Sequence, residues 1–209
     1  MKEAIIDLHY FPNIEYFSIL SKLDVVYLEA KENFQKQTYR NRCYILTANK
    51  VERLSVPLLG ANKGLPIQEM KIDARESWQK QHWRAIQSAY GRSAYFEYYA
   101  DMIKEVLLGK EYTHLFELNY EILTFCLKIL GVKCQIRLTE DFTPPQECDI
   151  LDLRSAIHPK KEFGIINVQP YQQVFGEGFA PNLSILDLLF NEGPNASYIL
   201  RMQESKFLS

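Results

Sequence analysis

The sequence predicts an α/β fold, with a mixed sheet that starts in a βαβ unit, flanking helices and a helical middle section. Three observations predict this class. A strand–helix–strand pattern opens the chain, three amphipathic helical segments follow one another in its middle, and short strand-like segments stand on both sides of them. The chain has 209 residues, of which 47% are hydrophobic. It therefore suits a single domain over residues 1–209, in which residues 75–131 form a candidate helical subdomain.

The βαβ unit comes first in the chain. Residues 3–6 are predicted as a short buried strand, residues 9–13 as a turn and residues 24–29 as a second strand. Apolar residues recur at helical spacing between the turn and the second strand. Two strands joined by a helix pair in parallel, and the loop after the first strand of such a unit is the usual ligand site. Here that loop carries His9 and Tyr10.

Three further strands are predicted before the helices. Residues 42–47 and 51–58 alternate in a strand-like manner, and Asn49-Lys50 between them supplies turn-forming residues. Pro57 indicates that the second of these strands lies at an edge or ends there, because proline lacks a backbone donor. Residues 68–72 are predicted as another short strand.

The middle of the chain predicts three helices, over residues 77–90, 94–108 and 114–130. Each carries an apolar face at helical spacing, and the third face is broad enough to require a packed core. Gly109 and Gly131 follow the second and third helices, where glycine commonly ends a helix.

The last third of the chain is less regular. Residues 132–138 are predicted as a strand, whereas residues 149–156 fit either a helix or a strand. A proline-containing, polar region follows, in which residues 171–175 are candidates for extended structure. Residues 183–190 are predicted as a helix with a good N-cap before it, and residues 195–204 as a candidate for one more.

Composition excludes several classes of protein. A formal net charge of -2 argues against a general nucleic-acid binder or a protein held on anionic membranes, both of which are usually strongly basic. No apolar run approaches the roughly 20 residues that span a bilayer, and the start of the chain is too short and too acidic for a signal peptide. We therefore expect a cytoplasmic protein without a membrane span. The sequence predicts no oligomeric state.

Motifs for metals, cofactors and common enzyme classes are absent from the sequence. The four cysteines form no Cys-x-x-Cys pair and have no histidine at zinc-finger spacing, so we predict no metal site and no disulfide framework. There is no glycine-rich phosphate loop and no Gly-x-Ser-x-Gly nucleophile motif. We accordingly predict no cofactor.

A basic segment at residues 34–43 is the strongest local signal. It places Lys36, Arg40 and Arg42 beside Asn41 in a chain of slightly negative charge. Arginine binds phosphate or carboxylate through a planar fork, and lysine adds a point charge. The segment therefore indicates either a site for an anionic small molecule, such as a nucleotide sugar, a lipid-linked sugar or an acyl donor, or a solvated turn before a strand.

Three histidines have open interpretations. His9, in the first strand–helix loop, is a candidate phosphate contact or general base, because its pKa lies near neutrality, or else a turn residue. His82 follows Trp78 on the apolar face of the first middle helix, which favours a core histidine over a catalytic or substrate-positioning one. His158 stands beside two lysines in a segment that is either a second phosphate contact or a solvated loop.

Motifs spread over most of the chain carry a family resemblance. They are Ala4-Ile5, Tyr10-Phe11-Pro12, Tyr16-Phe17, Asp24-Val25-Val26, Phe34-Gln35-Lys36, Arg40-Asn41-Arg42, Leu54-Ser55-Val56-Pro57, Trp78-Gln79-Lys80-Gln81-His82, the stretch from Ile86 to Tyr90, Ala94-Tyr95-Phe96 and the closing block from Asn182 to Asn191. Together they resemble the WbqC-like family, whose members are often encoded among genes for O-antigen and other bacterial surface polysaccharides.

The chain departs from the family pattern in two places. The usual opening reads His-Gln-Pro-Asn where this chain reads Ile6-Asp7-Leu8-His9. The family's histidine is thus replaced by Ile6, and His9 stands where asparagine is usual. Many members also carry a glycine-rich segment before the closing block, of which this chain retains only short traces.

The resemblance implies a role in surface-polysaccharide biosynthesis, with transfer of an amino acid or acyl group to a sugar. Under this hypothesis Lys36, Arg40 and Arg42 hold the anionic donor or acceptor. The positioning residues would be Tyr10, Asn41 and His82, and His9 would be a candidate base. The alternative is a non-catalytic binding or assembly protein of the same pathway. A nucleic-acid binder is a third hypothesis, which the charge disfavours.

Overall fold

The computed structural model describes residues 1–75, 77–145, 149–161, 166–176 and 178–205. Its helices and strands, in chain order, are β1 (Glu3–Ile6), α1 (Ile14–Leu20), β2 (Val25–Leu28), β3 (Arg42–Leu46), β4 (Val51–Ser55), α2 (Trp78–Tyr90), α3 (Phe96–Leu108), α4 (Leu115–Leu130), β5 (Gln135–Leu138), β6 (Leu151–Asp152), β7 (Ile166–Asn167), α5 (Ile185–Glu192), α6 (Ala196–Met202) and β8 (Glu204–Ser205). The predicted α/β class is confirmed.

The main sheet contains four strands in the order β5-β2-β1-β6, and every neighbouring pair is parallel. The predicted βαβ unit is present as β1, α1 and β2. Asn13 caps α1, because its side-chain oxygen accepts a hydrogen bond of 3.0 Å from the backbone N–H of Tyr16. Helix α1 is buried along its whole length and packs against α5 and α6.

Strand β6 settles the ambiguous prediction for residues 149–156. Leu151 and Asp152 form a two-residue strand that pairs with Ala4 and Ile5 of β1. Such a short strand has too few residues to show a periodic pattern. Its formation depends on β1, which lies far away in the sequence.

The predicted hairpin is present as β3 and β4, which pair in antiparallel fashion from Arg42 opposite Ser55 to Leu46 opposite Val51. The prediction of a strand at residues 68–72 is wrong. A 3₁₀ turn over Ile67–Glu69 stands there instead, followed by single bridges from Lys71 and Ile72 to different partners. Pro66 before the turn fixes its own φ and offers no N–H for a strand ladder.

The three middle helices match their predicted positions to within two residues. Gly131 ends α4 with a φ of 63°, a left-handed conformation that glycine adopts without strain. One cluster of buried apolar side chains extends from Ala4 in β1 to Leu200 in α6 and includes Ile86 and Leu123 from the middle helices. The middle helices and the main sheet therefore share a core, and the division into domains stays a prediction.

Near the end of the described chain, α5 and α6 confirm the two predicted helices. Strands β7 and β8 form a small antiparallel pair of their own, and residues 171–175 form no strand. Within the described residues, no helix is long and apolar enough to cross a membrane.

Candidate functional site

The carboxyl edge of the main sheet gathers a cluster of charged and polar residues, several of them buried. Because its four strands are parallel, the segments that leave them all start at this edge. These segments contribute Asp7 and His9 after β1, Glu29 and Glu32 after β2, Thr139 after β5, and Arg154 and Ser155 after β6. In open parallel sheets, ligands bind beyond the carboxyl ends of the strands. They bind beside the strand from which the chain connections run to opposite sides of the sheet.

Asp7 is the centre of this cluster. Its Oδ2 accepts a hydrogen bond of 2.8 Å from His9 Nε2 and forms an ion pair with a terminal nitrogen of Arg40 at 3.0 Å. Its Oδ1 accepts a hydrogen bond of 2.7 Å from the backbone N–H of Ser155. Burial alone would raise the pKa of this carboxyl, but His9 and Arg40 hold the pKa well below its usual range. Asp7 is therefore an ionised carboxylate at neutral pH.

His9 is fully buried, and one of its ring nitrogens lacks a hydrogen-bond partner within the described part of the chain. Nε2 faces the ionised Asp7, so this nitrogen carries the hydrogen in the neutral ring, and Nδ1 keeps the lone pair. Among the described residues, Nδ1 has no hydrogen-bond partner. The rings of Tyr16 and Tyr39 lie against the imidazole, with centroids 4.9 and 5.5 Å from it. A buried nitrogen without a partner is costly, and in a native protein it calls for an explanation such as a catalytic role or a bound water.

Arg40 is only 1% exposed and binds two acidic residues at once. Besides Asp7, it contacts Glu32 through two parallel bonds of 2.7 Å each. Burial lowers the pKa of Arg40, but the two carboxylates more than reverse this effect and raise it. The backbone carbonyl of Arg40 also accepts a bond of 2.7 Å from Asn119 in α4. The guanidinium thus fixes the position of Asp7, and its fork faces protein carboxylates.

Ser155 connects the cluster to the segment that follows β6. Its φ of 55° is unusual for a residue other than glycine, and strain of this kind is concentrated at functional sites. The hydroxyl accepts a long bond of 3.3 Å from Arg40 and donates one of 3.3 Å to the side-chain oxygen of Gln35. The carbonyl accepts a bond of 3.0 Å from Lys161 Nζ. The predicted loop with His158 and its lysines therefore lies beside Asp7.

A second ionic cluster lies further along the same edge. Arg154 bridges Glu29 and Asp152, with nitrogen–oxygen distances of 2.6 Å to each. The other oxygen of Glu29 accepts a bond of 2.8 Å from Thr139. Every acidic group in this cluster has a partner, which favours a structural role: it ties the segments after β2, β5 and β6 together.

Comparison with known proteins gives the chain a family. A model of the WbqC-like protein family matches residues 8–162 and 156–199. The chain belongs to the WbqC-like protein family. It is also similar to an uncharacterized protein, Rv1507c, of Mycobacterium tuberculosis (strain ATCC 25618 / H37Rv). The two are 28% identical over 227 residues, which cover 96% of this chain and 97% of that protein. No solved structure matches the chain.

The basic segment of this WbqC-like protein does not act as one unit. Of its predicted binding residues, Arg40 reaches Asp7, whereas Lys36 is exposed to solvent. Asn41 donates to the carbonyl of Val56 at 3.0 Å and thereby fixes the start of the hairpin. Arg42 lies in β3, and its Nε is buried without a partner among the described residues. A role of these four residues in anion binding stays a prediction.

The other two predicted residues pair with one another. The Tyr10 hydroxyl and His82 Nδ1 are 2.8 Å apart, and both side chains are buried beside Trp78. Burial lowers the pKa of His82 to about 4, so the ring is neutral at pH 7. His82 thus contacts Tyr10 and Trp78, and His9 contacts Asp7.

Sequence reasoning missed Asp7, Glu32 and Ser155 as parts of the site. A signal for Asp7 was present, because residues two apart in an extended segment point to the same side, and Asp7 and His9 have this spacing directly after β1. Ile6, where the resemblance led us to expect a histidine, is fully buried within β1. The sequence led us to expect no metal site, and this stays a prediction. Within the described residues, no group of three or more His, Cys, Asp or Glu side chains is placed to bind a metal.

Proposed function

We propose that this WbqC-like protein transfers an amino-acid or acyl group to a sugar during the synthesis of a bacterial surface polysaccharide, with His9 as the general base. The observation that carries the proposal is the Asp7–His9 pair at the carboxyl edge of the sheet, in which His9 Nδ1 has no partner among the described residues. The polysaccharide pathway comes from what the family resemblance implies.

The reaction would use the two nitrogens of His9 differently. Nδ1 takes a proton from the amine or hydroxyl of the sugar as that group attacks the carbonyl carbon of an activated donor, such as a thioester. The new amide or ester bond forms as the bond to the leaving group breaks, and the proton then passes from Nδ1 to the leaving group. Ionised Asp7 stabilises the imidazolium between these steps, and Arg40 keeps Asp7 ionised and in place.

Access to Nδ1 is a requirement of this mechanism. The imidazole is fully buried between Tyr16 and Tyr39, so one of the two rings has to move when substrate binds. Tyr39 is the better candidate, because it also lines an open pocket, whereas Tyr16 is fully buried in α1. Catalytic contacts often form only in the complex with substrate.

The rival hypothesis is a non-catalytic binding or assembly protein of the same pathway. Complete burial of His9 and saturation of Arg40 by two carboxylates favour it, since both are also features of a structural ionic cluster. Removing a structural cluster lowers stability, whereas removing only the basic nitrogen of His9 would leave assembly unaffected. This difference makes the two hypotheses separable.

The test uses a strain that lacks the gene and mass spectrometry of its surface polysaccharide. We expect the deletion to remove the mass of one amino-acid or acyl substituent from the repeat unit. His9→Gln should fail to restore it, even though the variant accumulates and unfolds at nearly the wild-type temperature. His114→Gln is the matched control, because His114 stands away from the cluster at the N-cap of α4, and it should restore the substituent. Full restoration by His9→Gln would refute the catalytic proposal, and loss of the whole polymer on deletion would favour the assembly role.

A further inference from the structure

A pocket of about 330 Å³ lies next to the Asp7–His9 cluster. Its walls come from β3, β4, the segment after β6 and the turn before α5, and the residues that matter here are Tyr39, Tyr44, Val51, Pro159, Lys161 and Leu183. Tyr39 connects the pocket to the Asp7–His9 cluster, since its ring lines the pocket and also contacts the imidazole of His9. A ligand in the pocket is therefore separated from His9 by a single side chain.

We infer that this pocket binds one sugar ring that carries a negatively charged group, and that it is the acceptor subsite of the transfer reaction proposed above. Only the role of the pocket as acceptor subsite rests on the proposed function. The recognition of an anionic sugar follows from the lining residues themselves.

The walls suit the two surfaces of a sugar. The rings of Tyr39 and Tyr44 meet edge to face, with centroids 5.9 Å apart and an interplanar angle of 83°, and they form one aromatic wall. Val51 and Leu183 add apolar surface. Tyrosine offers an apolar face to the C–H side of a sugar and a hydroxyl to its polar edge. Tyr44 is only half-buried, so part of its ring remains available to a ligand.

The charge of the ligand follows from Lys161. Among the described residues, its ammonium group donates one bond, to the carbonyl of Ser155 at 3.0 Å, and an ammonium has three donors. Among the described residues that line this pocket, Lys161 is the cation and none is acidic. The chemistry that matches is a phosphate on the sugar.

The size of the pocket limits the ligand. Pockets for small molecules range from about 300 to 1,000 Å³, and this one lies at the lower end. It suits a single sugar ring with its charged group. A whole nucleotide sugar would extend well beyond it.

NMR titrations test the inference with defined probes. The panel is α-D-glucose 1-phosphate, α-D-galactose 1-phosphate and N-acetyl-α-D-glucosamine 1-phosphate, with methyl α-D-glucoside, inorganic phosphate and UDP-glucose for comparison. We expect at least one hexose phosphate to bind with a Kd of about 1 mM or tighter and to shift resonances around Tyr39 and Tyr44. Lys161→Gln should weaken binding about tenfold, because a charge-assisted bond is lost. Lys160→Gln is the matched control and should leave binding within twofold.

A second variant protects the test against misfolding. Val51 is 45% exposed at the rim of the pocket, so Val51→Glu should fold normally and still block binding, because its carboxylate repels an anionic ligand. The inference is overturned if no hexose phosphate binds, if inorganic phosphate binds as tightly, or if UDP-glucose binds far more tightly with shifts outside the pocket. His9→Gln separates the two proposals: it should keep sugar binding even where it abolishes transfer.

Discussion

Replacing Arg40 by methionine tests the claim that this residue neutralises a buried acidic pair. Met keeps much of the apolar stem and removes the guanidinium. Arg40, Asp7 and Glu32 are 1%, 1% and 5% exposed. The substitution would leave Glu32 without its two 2.7 Å hydrogen bonds and Asp7 without its ion pair to a cation at 3.0 Å.

The expected loss of stability is large. Breaking a buried ion pair by removing one partner costs about 3–5 kcal/mol. For a chain of this length, 1 kcal/mol shifts the melting temperature by about 2–4 °C, so Arg40→Met should melt about 6–20 °C below the wild type. Urea unfolding followed by circular dichroism at pH 7 measures the free energy directly. Arg84→Met, at an exposed position of α2, is the matched control and should change stability by about 0.5 kcal/mol or less.

The loss should also depend on pH with a definite sign. Burial raises the pKa of Glu32 above its usual value even in the wild type, and loss of Arg40, which lowers this pKa, raises it further. A raised pKa in the folded state means that the folded protein takes up protons as the pH falls, so the variant regains stability between pH 7 and 5. In the wild type the pKa of Asp7 is depressed, and its contribution is lost only well below pH 4. A deficit under about 1 kcal/mol at pH 7, or one that grows on acidification, would refute the assigned role of Arg40.

Two further predictions concern other parts of the fold. The pKa of His82 falls to about 4 in the folded state through burial, below its unfolded value, so the unfolded state binds more protons and stability should drop as the pH falls from about 6.5 to 4. His82→Gln should flatten this part of the pH profile in urea unfolding, and an unchanged profile would contradict the assignment. Gly131 has a φ of 63°, so Gly131→Ala should cost about 1–2 kcal/mol, whereas Gly131→Asn should cost less because asparagine tolerates this conformation. Equal losses for alanine and asparagine in thermal unfolding would argue against the backbone explanation.

The elements that the sequence predicted well have patterns carried by neighbouring residues. Helices α2, α3 and α4 show apolar faces at helical spacing, and the hairpin of β3 and β4 has its turn residues between two alternating segments. Strand β6 has no such pattern, because two residues cannot show a period. Its conformation is set by pairing with β1, and a pairing between distant segments leaves no local trace.

The candidate site also depends on contacts between distant segments, which the local sequence does not reveal. The basic segment was recognised, yet the sequence could not show that Arg40 would be buried against Asp7 and Glu32. A cation in a loop looks the same whether it faces water, a ligand or a carboxylate from another strand. The sheet order decides between these outcomes, since it brings the ends of β1, β2 and β6 to one edge.

The separation between Asp7 and Ser155 has a consequence for how the protein is made. The residues joined by their hydrogen bond are 148 positions apart, and Arg40 and Ser155 are 115 apart. At about 5–20 residues per second, the ribosome needs about 6–23 s to go from Arg40 to Ser155. During that interval the nascent chain holds Asp7, Glu32 and Arg40 without the backbone donor that completes the cluster. The Asp7–Ser155 bond therefore closes late, and its presence distinguishes a finished protein from a nascent one.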